Sequence, residues 1–419
     1  MNGPTRQRPA WALHRLGLAW ALVALGLLRA VPAGAQESAL SLNFLGIREE
    51  TSDGRARGLG VLGVGLGDSL TAASLNPGSF ALLKRMSLTV VGTASVHTAN
   101  DGTIEHDRSD ATFPHLRAAL PLPGDFVFSI GFVGLRNYRS EFVLPAESVG
   151  PYGYRDAFKR EGSLYEVPVG IARSVHDRVH LGLSLDFLLG TVNDAWTTSG
   201  DSLLSLRTRR RDGMNGTTVT LGVVADAARW LRLGVAWSPA VDLDVETTTT
   251  IEDGRVGGTT TALRTDVTRS TARYPATFRG GATARLGRRA LVTADYLHRD
   301  WSDWNGRLYG ADATTTEWRL GGGFEVRPHR SARWNRLTYR VGASHGTWAH
   351  QLGGNDISET TIHFGPGWGL VGGYGRLDAA IEYTQIGDLG KNGYEESRWS
   401  FVLSVSGQET WRRKSPRGE

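Results

Sequence analysis

The chain has 419 residues, no cysteine and a formal charge of +5. The missing cysteine excludes disulfide frameworks and thiolate metal sites. Four arginines (Arg6, Arg8, Arg15 and Arg29) and no acid lie before residue 36, so the rest carries only about +1 and its charge does not point to nucleic acid. Glycine is abundant (54) and aromatics are plentiful, yet mean hydropathy is slightly negative. That excludes a bundle of membrane helices and fits strands with one face to lipid and one to water.

In chain order, residues 1–35 read as a secretory signal peptide. A basic leader precedes the apolar run Leu16–Leu28, and Ala33-Gly34-Ala35 offers a small-x-small cleavage site after Ala35. The run is shorter than the ~20 residues a spanning helix needs. Residues 36–85 are irregular and rich in glycine between Gly58 and Gly67, unsuited to spanning strands. They are expected either to plug the lumen as a hatch or to form a tail. Residues 86–411 are expected to form the barrel, followed by a basic tail at 412–419.

From Met86 onward the governing period is two. Val179, Leu181, Leu183, Leu185, Phe187 and Leu189 alternate with His180, Gly182, Ser184 and Asp186; Trp399, Phe401, Leu403 and Val405 alternate with serines. Strands are expected near 86–96, 113–121, 125–137, 163–174, 178–190, 216–227, 230–240, 272–286, 289–300, 315–327, 336–348, 359–372, 376–387 and 396–407. That makes fourteen, most of them close to the ~9–11 residues a tilted strand needs to cross a bilayer. Connections alternate between short (121–125, 175–177, 227–229, 287–288, 328–335, 373–375) and long, polar ones (97–112, 138–162, 191–215, 241–271, 301–314, 349–358, 388–395). Tight periplasmic turns and long external loops give that parity, whereas a soluble sandwich has no reason to sort loops this way. The fold class is therefore all-β: a 14-stranded antiparallel transmembrane β-barrel, its N-terminal segment a candidate hatch, in the outer membrane of a Gram-negative cell. Tyr138, Trp196, Trp230, Trp237, Trp301, Trp304, Trp348 and Trp399 fall near strand ends, where a membrane-boundary girdle or simple packing accounts for them.

Two motifs suggest chemistry and are outweighed. Gly58-Leu59-Gly60-Val61-Leu62-Gly63 spells a dinucleotide fingerprint, but no βαβ unit surrounds it. Close backbone packing in a confined lumen explains it better. Gly67-Asp68-Ser69-Leu70 resembles the nucleophile block of GDSL esterases, with Gly353-Gly354-Asn355-Asp356 and Asp295…His298 as possible companions. Their order is wrong, and Asp295 and His298 fall on opposite faces of a strand. No catalytic residue, metal ligand or cofactor is expected, and the protein is not expected to be an enzyme. Arg279, Arg319, Arg340 and Glu382 belong to the expected polar lumen face.

Arg57-Gly58, Gly67-Asp68-Ser69 and Ala72–Ala81 with Asn76-Pro77-Gly78 resemble the hatch of the FadL/TodX outer-membrane transporters, with Gly78 where that family has Ala. Tyr274–Ala282, Leu291–Tyr296 with Trp301-Ser302-Asp303-Trp304, and Leu231–Pro239 resemble strands of the same family, in the same order. The resemblance covers most of the mature chain. It implies a hatch-plugged barrel of fourteen strands that passes long-chain fatty acids or other hydrophobic small molecules. It also implies hatch residues Asn76, Pro77 and Gly78, and a kinked third strand opening a lateral gap, for which Gly131 and Gly134 are candidates. Phe142, Leu144, Tyr152, Tyr154 and Phe158 are candidate external-loop contacts for the solute. Expected partners are that solute, the lipid bilayer and the barrel assembly machinery, with no nucleic acid, and the protein is expected as a monomer. The alternative is a structural or secretion-associated barrel that binds a protein partner and transports nothing.

Overall fold

A computed structural model describes residues 45–49, 51–103, 105–144, 146–149, 152–200, 204–255, 261–305, 313–328, 337–370 and 374–409. The expected signal peptide and the basic tail lie outside the described residues. A closed antiparallel barrel is built from β2 (Met86–Asn100), β3 (Glu105–Pro121), β4 (Phe126–Val143), β6 (Tyr152–His176), β7 (Val179–Gly200), β8 (Leu204–Ala228), β9 (Leu231–Ser238), β12 (Thr277–Leu286), β13 (Ala290–Asp300), β14 (Thr316–Val326), β15 (Leu337–Leu352), β16 (Asn355–Gly369), β17 (Gly375–Asp388) and β18 (Tyr394–Glu409). Closure comes from β18 on β2, in register from Glu409↔Met86 to Glu395↔Asn100. These are the fourteen strands expected from the alternation. Three smaller pieces join the sheet without entering the ring: β1 (Ile47–Arg48), β5 (Glu147–Val149), and the hairpin of β10 (Val241–Arg255) with β11 (Thr261–Tyr274).

Outward positions carry a continuous apolar belt. On β7, Leu181, Leu183, Leu185, Phe187 and Leu189 are all exposed, beside Leu221 and Val223 on β8, and Ile362, Phe364 and Phe401 farther round. From Val179 to Leu189 the belt is as tall as a tilted strand crossing a bilayer. Lipid is the solvent that makes such a surface stable.

The long connections differ from expectation. Most of the polar stretches that read as loops continue the ladders: β6 and β8 have 25 residues and β7 has 22. Residues 241–271 form most of the β10–β11 hairpin, which leans on β8 from Asp244↔Asn215 to Arg255↔Leu204. Toward the far ends of these ladders, as at 205–211 and 248–253, no buried position occurs on either strand face, so the apolar–polar alternation that marks a half-buried strand is absent there. β-branched runs such as Thr247–Thr250 still favour extended backbone.

Residues 51–83 fill the lumen. The short helix α1 (Gly54–Gly58) is capped by Asp53, whose side chain accepts from the Ala56 amide. A 3₁₀ turn at Pro77–Leu82 is capped by Asn76. Between them the backbone lies directly against the inner wall. A Cβ at Gly182 would collide with the Pro77 carbonyl, one at Gly234 with Val64, one at Gly321 with Gly60, and one at Gly342 with Leu59. A belt of side-chain-free wall positions thus forms the seat of the hatch, and Gly60 itself adopts φ +69° to follow it. Much of the high glycine content serves this seat.

Gly342→Val should unseat the hatch without opening the barrel. The expected result is tryptic cleavage at Arg55 and Arg57 at least about tenfold faster, from overpacking worth ~1–3 kcal/mol, with heat-modifiable gel mobility retained. Gly407→Ala, which meets no atom within 4 Å, should behave as wild type.

Candidate functional site

Two chemically different zones divide the lumen. Toward the end that carries residues 86 and 409, buried ion pairs tie the hatch to the wall. Arg55 Nε donates to Glu325 at 2.7 Å and its Nη1 to Asp68 at 2.8 Å. Arg340 reaches the same Glu325 at 2.8 Å and Asp378, also at 2.8 Å. Arg376 joins Asp378 to Asp68, and Arg57 pairs with Glu382, which also accepts from His363 at 3.1 Å. Burial alone would raise the Asp68 carboxyl, but Arg376 and Arg55 outweigh it and hold it well below the usual carboxylate range. Its stabilising contribution is therefore complete above the unfolded value of ~3.9 and is lost only as pH falls toward the depressed folded value.

Toward the other end the interior holds an apolar cluster beside buried pairs such as Arg160–Asp194 and Arg210–Asp212. Leu45, Leu135, Tyr138, Leu164, Leu188, Met214, Leu243 and Trp301 form one buried cluster. Glu317 sits beneath it and collects Arg48 at 3.0 Å, Arg136, and the Trp301 indole at 2.9 Å. Phe142, Phe158 and Trp196 pack above it in tilted and edge-to-face contacts, with ring centroids 5.2–6.2 Å apart.

The ring of strands is incomplete beside this cluster. β3 and β4 pair only from Pro121↔Val127 to His115↔Val133. Beyond that point β3 continues on β2 alone. Pro114 has no N–H to donate, and the β4–β6 register shifts at Leu135, between Gly134 and Arg136. Leu135 to Tyr138 swing inside the barrel, where β1 takes the vacated β4 edge through Ile47↔Asn137 and Arg48↔Arg136. A cleft of about 870 Å³ remains, lined by Phe113, Pro114, Phe132, Tyr165 and Leu189 on the lipid side, Met214 on the inner side, and Glu49, Asn137 and Arg139 between them. The Asn137 amide donates to Glu49 at 3.1 Å. Burial pushes the Glu49 carboxyl up to about 7, against that hydrogen bond.

The residues singled out from sequence separate into four groups. Asn76 is fully buried: its side chain accepts from the Gly78 amide and donates to the carbonyls of Val223 (2.9 Å) and Val64 (3.3 Å), while Pro77 and Gly78 press on Gly182 and Gly222. Gly134 borders the cleft, its missing side chain leaving room for Glu49. Gly131 lies instead in the paired part of β4, where it admits the Arg117 side chain. The irregularity belongs to Leu135, one position beyond Gly134. Phe142 and Phe158 meet across β4 and β6; Tyr154 bonds Glu147, Leu144 is exposed, and Tyr152 pairs with Val149 in backbone register. Arg279, Arg319, Arg340 and Glu382 are buried within the barrel. Of the aromatics noted near strand ends, Tyr138, Trp301 and Trp348 are buried inside, whereas Trp230, Trp237 and Trp399 are exposed. Asp295 receives the Val64 amide inside, while His298 stacks with Tyr296 on the outer face, so no triad converges. Sequence reasoning passed over Pro114, Leu135 and Glu49; a proline inside an alternating strand was the available signal for the first.

The BamG family profile matches residues 19–416. No curated protein matches the sequence. Among solved structures, a FadL homologue of Pseudomonas aeruginosa is similar with a TM-score of 0.59 at 12% identity, over 86% of this chain and 99% of that one. The toluene transporter TodX of Pseudomonas putida gives 0.56 at 13% identity (87% and 99%), and the toluene transporter TbuX of Ralstonia pickettii 0.55 at 16% (84% and 99%). At these identities the likeness is one of fold: a barrel of the FadL type.

Glu325→Gln should leave Arg55 and Arg340 without their shared countercharge. Removing one partner of a buried pair costs about 3–5 kcal/mol. Hydrogen–deuterium exchange should show lost protection across 54–68 with barrel strands still protected, and the double change Arg55→Met with Glu325→Leu should restore most of it.

Proposed function

The chain belongs to the BamG family, and on that premise and the barrel's geometry we propose that it is an outer-membrane passage for hydrophobic small molecules, with long-chain fatty acids and aromatic hydrocarbons as the candidate solutes. The observation that carries this reading is the parting of β3 from β4 beyond His115–Val133, which puts an 870 Å³ cleft between the lipid-facing belt and the inner apolar cluster. The tall strand extensions are taken to face outside the cell. A solute enters past Phe142, Phe158 and Trp196, contacts the cluster around Met214 and Tyr138, and leaves sideways past Gly134. Asn76-Pro77-Gly78 and the ion pairs below keep the hatch seated, so passage straight through the lumen is not required. Such transport needs no chemical step.

A second reading, a barrel that holds a protein partner, draws on the β10–β11 hairpin. Its β11 strand is exposed throughout from Thr261 to Thr271, an open surface larger than a solute needs. Loss of a co-purifying protein on deleting residues 246–268, with solute uptake unchanged by loss of the whole chain, would favour that reading over passage.

Gly134→Phe should close the cleft, since a Cβ there meets only the flexible Glu49 side chain within 3.4 Å. Uptake of radiolabelled toluene or oleate by cells carrying the variant should fall toward that of cells lacking the chain; unchanged uptake with both solutes would overturn the lateral route. Solute affinity of the purified protein should also fall as pH rises through about 7, where Glu49 gains its charge, because an apolar solute then lies against an ion. Glu49→Gln should flatten that dependence.

A further inference from the structure

Above the apolar belt, the outward face of β6–β7–β8–β10 carries a feature that solute passage does not use. Arg207, Arg209 and Arg211 alternate along β8 and face outward with Lys159 of β6. The ladders bring them together: Lys159↔Ala195↔Arg209↔Thr250 forms one row, and Glu161↔Asn193↔Arg211↔Thr248 the next. They line a cavity of about 460 Å³. Two acids lie in these rows and are already engaged, Glu161 by Lys159 at 2.7 Å and Glu252 by Arg209 at 3.3 Å, and Glu246, one row below on β10, is held by Arg269 at 3.0 Å. Four cations against two acids within the rows leave an excess of positive charge. Arg207 Nε is buried without a hydrogen-bond partner, and no ion pair of Arg211 occurs among the described residues.

Height narrows the ligand. The belt on β7 ends at Leu189, and Asn193 to Thr197 mark the rows of the cations. Four to eight residues at ~3.3 Å each, on strands tilted by ~45°, put the patch ~10–20 Å above the hydrocarbon. Phospholipid phosphates lie within ~5–7 Å of it. We propose that this face binds the phosphorylated sugar headgroup of an outer-leaflet glycolipid. Guanidinium groups suit phosphate oxygens because their paired N–H groups bind bidentately. The cavity shares Glu161 and Asn193 with the lateral cleft, so a headgroup held here lays its acyl chains beside the cleft's outward mouth. The inference uses the orientation taken above but not the transport of any solute.

The test is native mass spectrometry and titration of the full-length protein in detergent. Four probes are compared: a phosphorylated rough-type glycolipid, the same glycolipid after phosphatase treatment, phosphatidylglycerol, and inorganic phosphate. The intact glycolipid should bind, with affinity falling as salt rises. The Arg207→Gln/Arg209→Gln/Arg211→Gln variant should lose at least about tenfold, as expected for removal of several surface cations, and phosphatase treatment should lose as much. Arg264→Gln/Arg269→Gln on β11 should bind like wild type. Heat-modifiable mobility certifies folding; if the triple variant does not fold, Arg211→Gln with the wild-type salt titration replaces it. Undiminished binding by the folded variant, equal binding of the dephosphorylated glycolipid or phosphatidylglycerol, or full displacement by equimolar inorganic phosphate would each overturn the proposal. Because the readout is lipid binding, a failure here leaves solute uptake untouched, and a failure of uptake leaves this binding untouched.

Discussion

Backbone-to-backbone contact between the hatch and a side-chain-free stretch of barrel wall governs the rest of the structure. Leu59, Gly60 and Val64 lie where Cβ atoms on Gly342, Gly321 and Gly234 would otherwise stand. That closeness closes the lumen. It also removes water from the guanidinium groups of Arg55 and Arg57, which face wall carboxylates at full burial. Buried charges tolerate such surroundings only when paired and hydrogen-bonded, and Glu325, Glu382, Asp68 and Asp378 supply that pairing. The ion-pair network follows from the glycine seat, since a hatch held one side chain farther off would leave room for water between the charges.

Toward the other end the apolar side chains gather into one cluster, with buried pairs such as Arg160–Asp194 and Arg210–Asp212 around it. Glu317 borders that cluster: it pairs with Arg48 and Arg136 and engages the Trp301 indole whose ring belongs to the cluster. The same arrangement fixes the cleft. Arg48 is in β1, which occupies the β4 edge that β3 relinquishes. Hatch docking and the parting of two wall strands are thus consequences of one placement of residues 47–49.

Much of this architecture was legible in the sequence, and the illegible parts share a physical cause. Residues 179–189 announce their strand because one face meets lipid and the other meets the hatch. Residues 205–211 and 248–253 announce nothing, because no buried position occurs on either of their faces and no alternation is required. Asn76-Pro77-Gly78 could be singled out because capping and turn chemistry are local. The seat it presses on could not, because Gly182 and Gly222 become neighbours only when β7 and β8 pair in register, and meet the hatch only when it packs against them. Gly131 and Gly134 show the same limit: both are small residues in one strand, yet only the position next to the Leu135 register shift, and opposite Pro114, lies at the gap. The lumen charges Arg340 and Glu382 were recognisable by parity, whereas the hatch cations Arg55 and Arg57 that meet Glu325 and Glu382 lie hundreds of residues away, on a short helix with no periodic signal.

A parted pair of strands at membrane depth would ordinarily leave a row of unsatisfied amides and carbonyls in hydrocarbon, which costs several kcal/mol per group. β4 avoids this by turning its upper half inward, where β1 and β6 bond both of its edges and Leu135 accepts from the Glu49 amide at 3.1 Å. β3 has no such substitute between 105 and 114, and there Pro114 removes one donor. The cleft therefore cannot be a dry slot. Its lining combines the rings of Phe113, Phe132 and Tyr165 with Glu49, Asn137 and Arg139 because free strand edges demand polar company. A solute on the proposed path would exchange lipid for a surface that is apolar on its flanks and polar along one seam. Weakly polar or amphiphilic molecules lose least on that path, and the ionisation of Glu49 sets how polar the seam is.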